Sequence, residues 1–293
     1  MGEIIDGKKI SSQIKEEVKS KIDELKSRGI TAGLTAVLVG DHPPSQVYVG
    51  MKSKACQQVG INSEVLKFPQ DTSEEKLLSL IDDLNKRSEV HGILVQLPLP
   101  PQIAEDKVIQ RIDPRKDVDG FHPFNVGMMI AGEAVFLPCT PFGIQELLLR
   151  SGNDPSGQHV VILGRGNLVG RPLSVILSQK APGGNATVTL CHSRTKNIGE
   201  LAKEADILVA AMGKPLFVKR DMVKEGAVVI DVGVNRIDDP QAKKGYRLVG
   251  DVDFEGVKDI TKAITPVPGG VGPMTVAMLL FNTLKAAKLQ KEI

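Results

Sequence analysis

Tyr48 and Lys52 stand four residues apart in the segment between Asp41-His42-Pro43-Pro44 and Gly60. On a helix that spacing puts a phenol ring and an amine on one stripe. The ring offers a stacking surface, and the amine can carry a proton or act as a point charge. The pattern predicts a helix over 45–59, with Val47, Met51 and Ala55 as its apolar face. The bland alternatives are a surface lysine lying along apolar neighbours and a core tyrosine. Gln96 interrupts the apolar run GILVQL, read as a strand over 92–97, near the C-terminal end where α/β sheets collect ligands. A buried amide there needs partners. Asp117 and Asp119 in KDVDG could hold a Mg²⁺, accept the N–H groups of a polar ligand, or shape a turn, and spacing does not choose among these.

A second constellation follows the strand pattern HVVIL. Gly164-Arg165-Gly166-Asn167-Leu168-Val169-Gly170 runs directly into a predicted helix. Glycines in such a turn let the backbone approach a pyrophosphate, whose charge is stabilised by free N–H groups and the helix dipole. The spacing GxGxxxG is one residue longer than the common dinucleotide fingerprint, and a plain tight turn is the alternative. About 20 to 25 residues further on, an acid would bind a ribose 2′-OH and an arginine a 2′-phosphate. Here the chain reads Cys191-His192-Ser193-Arg194-Thr195 with no carboxylate. Ser193, Arg194 and Arg165 favour NADP over NAD, against the alternative of a solvated basic loop.

Both constellations need rigid elements to hold them. Ile10, Ile14, Val18, Ile22 and Leu25 recur at helical spacing before Gly29. Strands at 34–39, 63–68 and 92–97 then alternate with helices at 45–59 and 73–87. After an irregular segment over 114–125, a helix at 141–150 marks a domain junction. The pattern restarts with strands at 159–164, 186–190, 206–211 and 227–233 and helices from 170 and at 197–203, and the chain closes with a helix from Pro273. Alternation of this kind predicts an α/β protein with parallel sheets, the second domain a Rossmann-like doubly wound sheet. The expected domains are 1–140 and 141–272.

Composition narrows the partners. With 293 residues, 41% hydrophobic and 25% charged, the chain is long enough for two cores and unlike a disordered sequence. A net charge of +2 gives no global field for nucleic acid, and an aromatic content of 3% is too low for base-stacking platforms. Cys56, Cys139 and Cys191 form no CxxC pair and the five histidines no HExxH, so no protein-bound metal is expected. No apolar run approaches the roughly 18 residues of a membrane span, and MGEIIDGKKI is unlike a signal peptide. A cytoplasmic protein with a small-molecule partner is the expectation.

Taken together, YVGMK, GILVQLPLP, KDVDGFHP, GRGNLVGRP, CHSRT and PVPGGVGPMT resemble, in order and over essentially the whole chain, the conserved blocks of the bifunctional methylenetetrahydrofolate dehydrogenase/cyclohydrolase family. The resemblance implies NADP-dependent oxidation of 5,10-methylenetetrahydrofolate to the methenyl form and its hydrolysis to 10-formyltetrahydrofolate. These are steps of one-carbon metabolism that serve purine biosynthesis. It implies that Lys52 is the catalytic lysine, Gln96 its hydrogen-bond partner, Tyr48 the residue stacked on folate and Asp119 the carboxylate holding the pterin. Ser45, Pro268, Gly269 and Gly270 would line the same pocket. Gly164, Gly166 and Gly170 would form the cofactor turn, with Arg165, Ser193 and Arg194 at the adenosine end of NADP. It also implies that the helix 273–293 returns to the folate domain and that two chains pair through their cofactor domains. One departure stands out: Gly166 occupies a position where the family usually has serine. A shikimate-type NADP dehydrogenase leaves VQLPLP and PGGVGPMT unexplained, and in a non-catalytic NADP sensor Lys52 and Gln96 would be incidental.

Overall fold

A computed structural model of the chain describes residues 2–242 and 245–292. Strand β1 (Glu3–Ile4) leads into helix α1 (Gly7–Ser27). Next come β2 (Gly33–Val39), α2 (Pro43–Val59), β3 (Asn62–Phe68), α3 (Glu74–Lys86) and β4 (Gly92–Val95). The last three strands form a parallel sheet in the order β3-β2-β4. β2 and β4 are buried at every position, as expected of strands covered on both faces. The α1 stripe from Ile10 to Leu25 and Leu77, Ile81 and Leu84 of α3 are buried at the spacing read from the sequence. Ser73 stands just before α3 and accepts a hydrogen bond from the Lys76 N–H, a cap that starts the helix one residue later than expected. Two short helices, α4 (Glu105–Arg111) and α5 (Pro123–Ile130), escaped the periodicity reading because neither is long enough to show a repeat.

The second half contains α6 (Cys139–Arg150), β5 (His159–Leu163), α7 (Gly170–Ser178), β6 (Thr187–Cys191), α8 (Ile198–Lys203), β7 (Ile207–Ala210) and β8 (Val228–Asp231). It continues through β9 (Asn235–Asp238), β10 (Tyr246–Val249), α9 (Phe254–Val257), β11 (Ala263–Ile264) and α10 (Val271–Gln290). The main sheet has the order β1-β11-β8-β7-β5-β6 and its ladders are all parallel, while β9 and β10 form a separate antiparallel pair. β5 lies between β6 and β7, so the chain leaves β5 in one direction and returns on its other side. That reversal is the switch point at which doubly wound sheets bind ligands.

Contacts divide the chain into two units. Residues 2–11 group with Thr140–Thr275 because β1 adds to the edge of the six-stranded sheet through β11. Ser12–Cys139 groups with the chain from Val276 onward. The C-terminal helix therefore does return to the first sheet: Asn282 donates to the Val118 and Leu137 carbonyls, and Gln290 to those of His91 and Arg115. Its predicted stripe of Val276, Leu280, Leu284 and Ala287 is buried, but so are Ala277, Met278, Leu279 and Ala286. The helix is thus enclosed on most sides and not on one face.

Candidate active site and dinucleotide-binding edge

Helix α2 begins at the paired prolines 43 and 44 and ends at Gly60, whose φ of 83° makes the left-handed cap. The residues it buries are Ser45, Val49, Lys52, Ala55, Cys56 and Val59. This corrects the expected orientation: Val47 and Met51 are 61% and 46% exposed, whereas Lys52 is only 8% exposed. Lys52 is therefore no surface lysine. Its Nζ donates to Gln96 Oε1 at 3.2 Å. Ser45 Oγ lies 2.9 Å from His42 Nδ1, which fixes the first turn, and Tyr48 remains exposed on the next stripe.

Gln96 is not inside a strand, because β4 ends at Val95 as the chain enters the proline-rich segment. Its backbone N–H still donates to the Val37 carbonyl, and its side-chain Nε2 donates to the Leu97 carbonyl at 2.7 Å. The amide is thereby oriented with its oxygen toward Lys52.

The KDVDG segment runs beside β4, with Ile93 N–H donating to the Lys116 carbonyl. Asp117 is buried and accepts from the N–H groups of Gly120, Phe121 and His122 and from Asn125 Nδ2. It shapes the turn, which settles one of the three readings for that residue. Asp119 emerges from the turn half-buried. Burial pushes its carboxyl above the ordinary aspartate range; the Lys52 ammonium opposes this and the Asp117 charge adds to it. The arrangement brings Lys52, Gln96 and Asp119 into one cluster, with no group of three or more His, Cys, Asp or Glu placed to hold a metal among the described residues. Gln96 Oε1 takes up one of the Lys52 donors, so the amine can still face a reacting centre, and Asp119 can accept from paired N–H groups.

In the other unit, the turn after β5 lies at the switch point. Gly164 has φ of 117°, and a Cβ there would collide with the Ala211 carbonyl oxygen next to β7. A Cβ on Gly170 would collide with the Gly164 carbonyl, so both glycines are required by close backbone approach. Gly166 is different: it is exposed, its φ is not left-handed, and a Cβ would meet nothing within 4 Å. A serine would fit. Arg165 is exposed and makes no ion pair among the described residues. On the adjacent strand end, His192 N–H donates to Thr195 Oγ1 and Arg194 N–H to His192 Nδ1, holding a tight turn that leaves Ser193 and Arg194 exposed. At the start of α7 the Arg171 N–H donates to the Gly166 carbonyl and Pro172 has none, so it is the open backbone of the glycine turn and the two unpaired arginines beside it that fit a pyrophosphate and a further phosphate.

Pro268, Gly269 and Gly270 follow β11 in this same unit, where Gly270 N–H donates to the Pro266 carbonyl and Gly270 backs onto Gly7. They thus belong with the six-stranded sheet, whereas Ser45, Tyr48, Lys52, Gln96 and Asp119 belong with the three-stranded one. The sequence reading missed two buried carboxylates, Asp231 at the C-terminal end of β8 and Asp251 just beyond that of β10. The available signal was a glycine near each, in DVG and GD. It also missed Asn282, whose amide ties the Val118 carbonyl, next to Asp119, to that of Leu137.

Comparison with known proteins matches this architecture unit by unit. Residues 5–119 match the tetrahydrofolate dehydrogenase/cyclohydrolase catalytic domain, and residues 138–291 the NAD(P)-binding domain of the same family. The chain is 59% identical over 287 residues to the bifunctional protein FolD of Dehalococcoides mccartyi strain CBDB1, covering 97% of this chain and 96% of that one. Its fold is similar to the crystal structure of the Campylobacter jejuni bifunctional FolD methylenetetrahydrofolate dehydrogenase/cyclohydrolase (TM-score 0.92, 48% identity, 99% of both chains). It is also similar to the Trypanosoma brucei FolD enzyme complexed with NADP and inhibitor (TM-score 0.94, 38% identity, 100% of this chain and 99% of that one). With a lysine–glutamine–aspartate cluster in the segment matching the catalytic domain and a glycine turn at the switch point of the segment matching the NAD(P) domain, the chain belongs to the tetrahydrofolate dehydrogenase/cyclohydrolase family.

Proposed function

We propose that this chain oxidises 5,10-methylenetetrahydrofolate to 5,10-methenyltetrahydrofolate with NADP and then hydrolyses the product to 10-formyltetrahydrofolate. The observation that carries the reading is the buried Lys52 bonded to Gln96 beside Asp119. When bound, NADP supplies the hydride acceptor. Hydride loss from a carbon between two nitrogens leaves a cation that their lone pairs share, so this step asks the protein for alignment more than for acid or base. Hydrolysis asks more: water adding to the methenyl carbon forms a C–O bond and loses a proton, putting charge on oxygen, and the C–N5 bond of the adduct then breaks with N5 taking up a proton. Lys52 serves that step, held in aim by the oriented amide of Gln96.

Asp119 accepts the adjacent N–H groups of the pterin through both carboxylate oxygens, and Tyr48 stacks on the folate from the exposed stripe of α2. Ser45 lines the folate pocket. Gly164, Gly166 and Gly170 admit the pyrophosphate, while Arg165, Ser193 and Arg194 hold the 2′-phosphate. The folate domain comprises 1–140 with the helix 273–293, and the NADP domain 141–272, except that residues 2–11 pack with the sheet of the NADP domain through β1. The chain acts in the cytoplasm as a homodimer paired through the NADP domains, in one-carbon metabolism that supports purine biosynthesis. Light scattering after size exclusion tests the dimer.

Absorbance near 340 nm tests the activity. NADP with methylenetetrahydrofolate should yield NADPH, and NADP with shikimate should not. The reverse outcome would move the chain to a different dehydrogenase, and no reduction with either would support a sensor.

A further inference from the structure

The buried carboxylates of Asp231, the last residue of β8, and Asp251, two residues past β10, lie next to the loop that follows β7. Asp251 is fully buried. Its Oδ2 accepts from the N–H groups of Met212 and Gly213 at 2.6 and 2.8 Å, and its Oδ1 from Asn235 Nδ2 at 2.8 Å. Met212 and Gly213 open the loop after β7, next to Ala211, on which Gly164 of the cofactor turn packs. One carboxylate thus holds the loop after β7 to the start of β9.

Asp231 ends β8 and holds Asp251 in turn. Its Oδ1 accepts from the Asp251 N–H at 2.9 Å and the Gly233 N–H at 3.0 Å, and its Oδ2 from the Val252 N–H at 2.9 Å. Close fit is enforced on both sides, since a Cβ on Gly233 would collide with the Asp251 carboxylate and one on Gly250 with that of Asp231. The two carboxylates therefore accept six hydrogen bonds in a chain, and all but the one from Asn235 come from backbone. Such an arrangement is costly: burial, together with the Asp251 charge, pushes the Asp231 carboxyl up to about 7 despite its amide donors. Apolar side chains could not take their place without leaving five backbone N–H groups unpaired. What the pair uniquely does is fix the backbone of the loops after β7 and β8 at the edge where a dinucleotide binds.

We propose that Asp251, buttressed by Asp231, is a positioning residue for NADP: it sets the Met212–Gly213 loop against the cofactor turn without touching the cofactor. The inference rests on the dehydrogenase/cyclohydrolase reading above. Methenyl hydrolysis requires no hydride acceptor, which provides an internal control for folding.

The test compares the unsubstituted full-length chain with Asp251→Asn, measuring NADP affinity by titration calorimetry together with methylenetetrahydrofolate oxidation and methenyltetrahydrofolate hydrolysis. The substituted amide has one acceptor oxygen where two now accept, and as a neutral group it holds the Met212 and Gly213 N–H groups less strongly than a carboxylate does, so the NADP dissociation constant should rise by about 10-fold, in line with loss of a hydrogen bond to a charged group. Hydrolysis and the Michaelis constant for folate should stay within about twofold. Unchanged NADP affinity, or equal losses in hydrolysis and NADP binding, would overturn the proposal. Should Asp251→Asn not fold, Asn235→Ala removes one donor to the same carboxylate and should weaken NADP by about two- to fivefold; no change would count equally against it. If the unsubstituted chain binds NADP yet reduces none with methylenetetrahydrofolate, the functional reading fails while the calorimetric comparison still decides the loop's role.

Discussion

Lys52 on α2 and Gln96 just beyond β4 are joined by a 3.2 Å hydrogen bond between Nζ and Oε1, with the other end of the Gln96 amide anchored on the Leu97 carbonyl. The anchor gives the amide one orientation, so Gln96 presents an acceptor and never a donor to the amine. Replacing Gln96 with Ala should therefore shift the pH profile of methenyl hydrolysis while leaving the profile of methylene oxidation much less altered. Superimposable hydrolysis profiles for the two proteins would remove Gln96 from the proton-handling step.

Asp119 should act in both reactions because both bind the same pterin. Two charge-assisted hydrogen bonds at about 1.5–3 kcal/mol each set the scale, so Asp119→Ala should raise the Michaelis constant for folate at least about tenfold in oxidation and in hydrolysis. Its carboxyl is held above the usual range by burial, and protonation turns one acceptor oxygen into a donor. Folate affinity should accordingly fall on acidification, beginning at a higher pH than an ordinary aspartate would give. Binding titrations across pH check the sign; an affinity that rises on acidification would contradict the role.

Arg165 and Arg194 extend from adjacent strand ends without ion pairs among the described residues. Replacing both with Ala should raise the Michaelis constant for NADP far more than that for NAD, since only the former carries the extra phosphate. Steady-state kinetics with the two cofactors decides this, and equal losses would sink the phosphate assignment.

Gly166 and Gly170 should respond oppositely to substitution although they belong to one motif. A Cβ at 166 has open space, so Gly166→Ser should fold normally and lower the Michaelis constant for NADP by a few-fold as its hydroxyl gains a phosphate contact. A Cβ at 170 meets the Gly164 carbonyl, so Gly170→Ala should impair NADP binding and lower the melting temperature. Poorer NADP binding by Gly166→Ser would show that the open space is needed for the cofactor itself.

The strand and helix alternation was legible because β2, β4, β5, β7 and β8 are short, mostly apolar runs between turn residues, whereas β1 and β11, two residues each, carry no readable pattern and were not expected. The face of α2 was not. Periodicity put Val47 and Met51 inside, but the helix buries Ser45, Lys52 and Cys56, and polar groups in a site disguise the apolar stripe. Lys52 and Gln96 were recoverable only through the blocks that contain them, since their contact spans 44 residues. The Asp231–Asp251 pair was invisible for the same reason: acids 20 residues apart carry no local pattern, and their glycines look like ordinary turns. The hairpin of β9 and β10, with four residues per strand, offered too little alternation to read.

Lys52→Met tests the central claim most directly, because the two reactions ask different things of that amine. The substitution keeps the length of the side chain and removes its charge and its protons, and both activities can be assayed separately on the same preparation. Methenyl hydrolysis should fall by about 10²- to 10⁴-fold, the usual worth of positioned acid–base help, while methylene oxidation falls much less because the folate nitrogens stabilise its cation themselves. Methenyl hydrolysis by Lys52→Met at the rate of the unsubstituted chain would contradict the account and take α2 out of the chemistry.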